Sequence, residues 1–203
     1  RVLIGNVPLL EQYGIVNDAG AAVAANKLAA AGKTPMIVAV DESVLGVIGV
    51  ADTIREDAPE MIRRLHASGV QKVVMLTGDT RLVAEAIGEA VGIDEIHASL
   101  LPEDKLDAVA RLQREGHTVA MVGDGVNDAP ALATADIGVA MGAAGSAVAV
   151  ETADIALMGD NLLKLPEAIS LAKRTVSVMR QNIWIALLTV VVLVVYVIYL
   201  RTK

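Results

Sequence analysis

The chain has no cysteine and no phenylalanine, and aromatic residues make up only 2% of its 203 positions. Without cysteine there is no disulfide and no thiolate metal site in this chain. With so few rings, its cores must be built from Ala, Val, Leu and Ile. Positive charge is short as well: 17 Lys and Arg face 24 Asp and Glu, a formal charge of −7 with no basic stripe against it. That argues against nucleic acid as the main partner. Arg1-Val-Leu-Ile-Gly5 lacks the pattern of a signal peptide, and Arg1 is not an initiator methionine, so we expect a start inside a longer protein. The length allows one good domain, or one with fragments of others. Aliphatic residues are what the chain has in excess, with 54% of it hydrophobic.

Much of that excess lies in one place. Ile183 to Leu200 carries no charge, and only Thr189 is clearly polar. At ~1.5 Å per residue this helix would span roughly 27 Å, enough to cross the hydrocarbon core of a bilayer. Trp184 near one end, with Tyr196 and Tyr199 near the other, suits interfacial anchoring. Basic residues flank both ends, so charge does not orient it. We expect residues 183–200 to be a transmembrane helix with the lipid bilayer as partner. Residues 161–182, containing Lys173, Arg174 and Arg180, would form an amphipathic connecting helix.

Before that point the chain changes rhythm near Val50. Residues 1–50 read as antiparallel β with helix: strand Val2 to Ile4, a helix start at Pro8, an Ala-rich helix over 18–31, and a hairpin of 35–40 with 44–50. Residues 51–160 alternate helix and strand. Asp57 is placed to cap a helix with Pro59 and Glu60 in its first turn. Strands are expected at 72–76, 118–122, 137–140 and 154–157, with helices at about 81–90 and 102–115 and a short helical piece between the last two strands. Fully apolar strands separated by such helices predict an α/β fold, a parallel sheet covered on both faces. Ligands of such sheets bind at the carboxyl ends of the strands. Thr77, Asp79 and Asp124 fall there.

The chemistry centres on Val119-Ala-Met-Val-Gly-Asp-Gly-Val-Asn-Asp-Ala-Pro130. A buried strand opens into a tight turn carrying two carboxylates and a carboxamide, Asp124, Asp128 and Asn127. Hard oxygen donors of this kind suit Mg²⁺ and phosphate. Thr77 adds a hydroxyl, Gly78 a backbone N–H, and Lys105, in the first turn of its helix, a point charge. Such groups attack nothing; they neutralise and orient a phosphoryl group in transfer. Each has a plainer role as turn, helix cap or solvated surface, and only their order and spacing together favour the chemical one.

Met75-Leu-Thr-Gly-Asp79, Leu101-Pro-Glu-Asp-Lys105 and Met121-Val-Gly-Asp-Gly-Val-Asn-Asp-Ala-Pro-Ala-Leu132 with Ala135-Asp-Ile-Gly138 resemble the P-type ATPases. These are ion pumps whose phosphorylation domain belongs to the haloacid-dehalogenase superfamily. Val2-Leu-Ile-Gly-Asn6, Asp52-Thr-Ile-Arg55 and Arg180-Gln-Asn-Ile183 narrow the resemblance to the heavy-metal branch. It implies a Rossmann-like haloacid-dehalogenase-type domain over 51–160, preceded by part of an α+β nucleotide-binding domain over 1–50. It implies ATP and Mg²⁺ as cofactors, with Gly5 and Asn6 contacting ATP. Thr77, Gly78 and Asp79 would match the loop beside the phosphoryl site and Lys105 the phosphate-binding lysine. Asp124 and Asp128 would match the Mg²⁺ carboxylates, and Asn127 a polar contact to phosphate. Asp52 and Arg55 would form a hinge salt bridge.

The family's phosphorylated Asp-Lys-Thr-Gly-Thr, its His-Pro and its Cys-Pro-type membrane motif are not in this chain, and would lie upstream of Arg1. The resemblance therefore implies the C-terminal part of a bacterial inner-membrane pump, with residues 1–181 cytoplasmic and the transported cation bound outside this chain. The membrane helix carries neither the lysine associated with zinc pumps nor the Asn-Tyr pair of copper pumps, which leaves a cobalt-type or other first-row metal open. A soluble phosphatase of the same superfamily and a truncated, non-catalytic Mg²⁺- or nucleotide-binding product are the alternatives.

Overall fold

The computed structural model describes all residues except 16–18, 52, 124–125, 142–150, 160 and 203. Asp52 and Asp124 therefore lie outside the described residues, as does most of the helical piece expected between 140 and 154.

The first unit is an antiparallel sheet of β1 (Val2–Gly5), β2 (Thr34–Val40) and β3 (Ser43–Val50), with β2 in the middle. Period-two alternation along β2 turns Ile37 and Ala39 inward, where they are buried with Leu10 of α1 (Val7–Gln12) and Ile15. Helix α2 (Ala19–Ala30) packs on the same side of β2 and β3. The hairpin turn places Asp41 at positive φ (55°), a conformation Asp tolerates better than most residues.

The second unit contains two parallel ladders, β4 (Val74–Leu76) with β5 (Glu95–His97), and β6 (Ala120–Gly123) with β7 (Ile137–Met141) and β8 (Ile155–Leu157). Helices α5 (Pro102–Arg114) and α6 (Ala129–Thr134) cover one face, where Val109, Met121, Ala131, Leu132 and Ala140 form the core and Leu76 packs against them. Helix α3 (Ala58–Ala67) covers the other face through Ile62 and Leu65, against Val139, with Val73 and Leu157 alongside. Neighbours Val139 and Ala140 point to opposite faces, so both ladders share the same two cores. Among the described residues, however, β4 and β6 are not bonded to each other, and each keeps one open edge.

Three local expectations need correction. Asp57 stands at the N-cap of α3, but its side chain does not cap the helix; its Oδ2 accepts from the backbone N–H of Leu162, 2.8 Å away and 105 positions along the chain. Strand β5 was not expected, because Glu95-Ile96-His97 holds a single aliphatic residue. The connecting and transmembrane helices are one, α7 (Lys164–Arg201), since nothing after Pro166 interrupts the hydrogen-bond ladder. Its apolar half is unburied by the described chain. Thr189, its polar exception, donates to the carbonyl of Ile185 at 2.8 Å and so presents no unsatisfied hydroxyl.

Candidate functional site

The site forms at the carboxyl ends of β4 and β6. Directly after β4, the Thr77 N–H donates to the His97 carbonyl at 3.0 Å and the Thr77 carbonyl accepts from Leu100 N–H at 3.0 Å. The Asp79 carbonyl accepts from Ser99 N–H at 2.7 Å. Ser99 reaches that geometry at a φ of 58°, uncommon for a side chain of its kind. The turn is thus fastened to the β5–α5 connection rather than left as a free loop. Within it, the Thr77 hydroxyl donates to Asp79 Oδ2 at 3.0 Å and accepts from the Asp79 N–H at 3.1 Å. Exposed Gly78 lies between them. Strand β5 is held in turn by Lys72, whose Nζ lies 2.7 Å from Glu95, and by the His97 ring at 2.7 Å from the same carboxylate. These two partners keep the Glu95 carboxyl below the usual carboxylate range.

The same connection leads straight into α5. Pro102 opens the helix, and Asp104 accepts from the Leu101 N–H at 2.8 Å, satisfying a donor that the helix start leaves free. Lys105 follows in that first turn. Its Nζ donates to Asp128 Oδ1 at 2.8 Å, and the two side chains are only 19% and 15% exposed.

Asp128 closes the short 3-10 turn Val126–Asp128 that follows β6. It rests on the strand end itself: a Cβ added to Gly123 would fall 2.7 Å from Asp128 Cβ and 2.9 Å from its Oδ2. Glycine at 123 is what lets the carboxylate approach the backbone.

Lys105 with Asp128, and Thr77 with Asp79, are therefore direct pairs, and Leu76 joins their two strands through the core around Met121. Asn127 is exposed beside Asp128. Among the described residues no three carboxylate or imidazole groups converge. Gly5 and Asn6 belong to the other sheet. Asn6 Oδ1 accepts from the Leu9 N–H at 3.1 Å as the cap of α1, and a Cβ on Gly5 would overlap Leu9. Both residues thus have a structural task besides any ligand. One neighbour of the site gave no motif signal: Thr34 Oγ1 lies 3.5 Å from Asp79 Oδ1.

A family model described as haloacid dehalogenase-like hydrolase matches residues 1–136. A probable cadmium-transporting ATPase of Staphylococcus aureus (strain MRSA252) is 51% identical over 156 residues, 77% of this chain and 22% of its own length. A zinc-exporting P-type ATPase of Mycobacterium marinum is 48% identical over 181 residues, covering 89% of this chain and 25% of the relative. Among solved structures, a zinc-transporting PIB-type ATPase in its E2.Pi state is similar with a TM-score of 0.70 and 44% identity, over 92% of this chain and 29% of that one. The chain thus spans about a quarter of the length of the relatives it matches.

Proposed function

Because the chain belongs to the haloacid dehalogenase-like hydrolase family, with metal-transporting P-type ATPases among its relatives, we propose that it is part of an ATP-driven transition-metal pump. In this reading its residues hold a phosphoryl group while an aspartate elsewhere in the pump accepts it. The observation that carries the proposal is the Lys105–Asp128 pair, a partly buried cation and carboxylate 2.8 Å apart at the carboxyl end of a parallel strand. The cadmium, zinc and manganese named for the relatives support a first-row or related divalent cargo without choosing among them.

Lys105 would share its ammonium between Asp128 and the phosphoryl oxygens, while the Gly78 N–H donates to the same oxygens; the one proton of the Thr77 hydroxyl lies on Asp79 Oδ2 and would reach them only by turning away from that carboxylate. Asn127 would add a side-chain contact. Asp79 orients the Thr77 hydroxyl. The donor set fits Mg²⁺: Asp128 keeps a second carboxylate oxygen, Oδ2, against the Gly123 backbone, and Asp124 follows Gly123 in the sequence. Asp124 and Asp128 would hold the ion, which when bound neutralises and orients phosphoryl charge. Gly5 and Asn6 would meet the nucleotide from the antiparallel unit.

The open edges of β4 and β6 support the same reading. Each strand belongs to a parallel ladder, both end in site residues, and Leu76 of one packs on the core that contains Met121 of the other. A strand entering between them would complete the ladder and carry its own carboxyl-terminal residue between Thr77 and Asp128. That is where the reading places the acceptor aspartate, on a segment preceding Arg1.

The test is phosphorylation with γ-labelled ATP and Mg²⁺, on the 203-residue chain and on the complete polypeptide encoded in frame with it. Acid-stable, hydroxylamine-sensitive label should form on the complete polypeptide in the presence of Zn²⁺, Cd²⁺, Mn²⁺ or Co²⁺, and not on the shorter chain. Label on the shorter chain would place the acceptor within it and overturn that part of the proposal. Absence of label on the complete polypeptide with all four cations would overturn the pump.

A further inference from the structure

The Asp79 carboxylate has two oxygens, and only one is used within its own turn. Oδ2 takes the Thr77 hydroxyl at 3.0 Å, while Oδ1 faces the Thr34 hydroxyl at 3.5 Å across the boundary between the two units. Thr34 is the first residue of β2 and pairs with Val50, the last residue of β3, where the chain leaves the antiparallel sheet. The neighbouring corner at Gly32 is held against the other unit as well: a Cβ there would lie 3.8 Å from Ala86 Cβ and from Ile87 Cγ1, both on α4 (Arg81–Val91). Helix α4 starts two residues after Asp79. The corner between α2 and β2 therefore rests on the turn and helix that begin the phosphoryl site.

We propose that Thr34 is a positioning residue: its hydroxyl engages Asp79 Oδ1 and ties the nucleotide-side sheet to the phosphoryl turn. The inference rests on the pump reading above. Hydroxyl-to-carboxylate bonds are normally about 2.7 Å long, so the present 3.5 Å separation is a latch just short of closure. A shift of less than about 1 Å makes or breaks it. Along β2, Ile37 pairs with Gly5 three residues beyond Thr34, roughly 10 Å away at strand spacing. Tilting the sheet about its Thr34 end therefore moves Gly5 and Asn6 relative to Thr77. Closing the latch sets the nucleotide side over the phosphoryl side. It also draws Asp79 between two hydroxyls and fixes the orientation of Thr77.

This arrangement distinguishes phosphorylation by ATP, which needs both units, from phosphorylation by inorganic phosphate, which needs the phosphoryl side without the antiparallel unit. In the complete polypeptide, Thr34→Val removes the hydroxyl while keeping shape. It should raise the ATP concentration for half-maximal phosphoenzyme about three- to tenfold, as expected for the loss of one ordinary hydrogen bond. Labelling by inorganic phosphate should stay unchanged, and Thr34→Ser should behave as wild type. In the 203-residue chain in detergent, Thr34→Val should speed hydrogen exchange at the Asp79 amide without lowering the unfolding midpoint. An unchanged ATP dependence in Thr34→Val, an equal defect in Thr34→Ser, or an equal loss of phosphate labelling would each overturn the proposal. If wild-type protein takes label from neither donor, the pump reading itself fails and the latch goes with it.

Discussion

Lys105 and Asp128 pair at 2.8 Å, so in the proposed reading an arriving phosphoryl group would compete with a carboxylate for one ammonium. Removing the lysine leaves the partly buried Asp128 without its charged partner, a loss of about 1–3 kcal/mol. Lys105→Met should lower the unfolding free energy by about that amount, measured by urea titration. It should also cut the phosphorylation rate roughly 100-fold or more, as for other preorganised charge donors. Lys105→Arg keeps the charge but replaces a point donor with a planar fork, and should recover stability better than rate. Gly123 sets the other half of the pair. The Cβ of Gly123→Ala would meet Asp128 at 2.7 Å, backbone against carboxylate root, with no flexible chain end to yield. We expect a loss of about 1–3 kcal/mol from overpacking, and a several-fold higher Mg²⁺ requirement for phosphorylation. A variant with wild-type Mg²⁺ dependence would show that the approach of Asp128 to the strand end is dispensable.

At the scale of elements, the parallel ladders are registered by aspartates at the opposite end from the site. Asp94 accepts from Val73 N–H at 2.7 Å, Asp136 from Val119 N–H at 2.8 Å, and Asp154 from Gly138 N–H at 2.8 Å. Each precedes one strand and ties down the start of its neighbour. The Val119 amide is the main reason the Asp136 carboxyl sits below its usual range. Helix α3 uses the same device in another form, Arg63 and Arg64 holding Glu60 down to about 2. A carboxyl depressed in the folded state contributes stability that is complete above its unfolded value of about 4 and vanishes as pH falls through the folded value. Asp136→Asn and Glu60→Gln should therefore lower the urea midpoint at pH 7, and that difference from wild type should shrink between pH 4 and pH 2. A difference independent of pH would assign both residues a merely steric role. Asp94 and Asp154 carry no signal in the sequence, and Asp136 enters only within Ala135-Asp-Ile-Gly138 without a role of its own, because each acts on an amide 16 to 21 positions away. Asp57 was misjudged for the same reason: its position suits a helix cap, but the amide it serves is at Leu162. The site was more legible. Thr77, Asp79, Lys105 and Asp128 are carried by short local patterns at strand ends and helix starts, where spacing along the chain nearly determines spacing in space. Thr34 has no such pattern, since nothing local marks a strand's first residue as a partner of a turn 45 positions on.

For the whole molecule the decisive element is α7, because it is the only described path from the site toward the apolar span. Its first turns are clamped. Leu165 and Ile169 pack beside Ile62 and Leu65 of α3, and the Lys173 ammonium donates to the Ser68 carbonyl at the C-terminal end of that helix. Beyond Lys173 every residue to Leu200 is exposed, and the helix continues unbroken for some 40 Å at ~1.5 Å per residue. In the proposed pump, a rigid rod fixed at one end would carry rotation of α3, and of the sheet it covers, toward the apolar span. Breaking the rod just past its clamp should separate the two activities. Val176→Pro removes a ladder bond and bends the helix at a cost of about 3 kcal/mol, outside both the clamp and the span. In vesicles containing the complete polypeptide, phosphorylation by ATP should stay within about twofold of wild type, since no site contact changes. Metal transport should fall at least about tenfold, the expected penalty when a bend absorbs the motion that the helix would otherwise carry. Val176→Ala, which keeps the helix straight, should transport normally. Undiminished transport by the proline variant would mean that coupling runs through another part of the pump and that α7 is an anchor only.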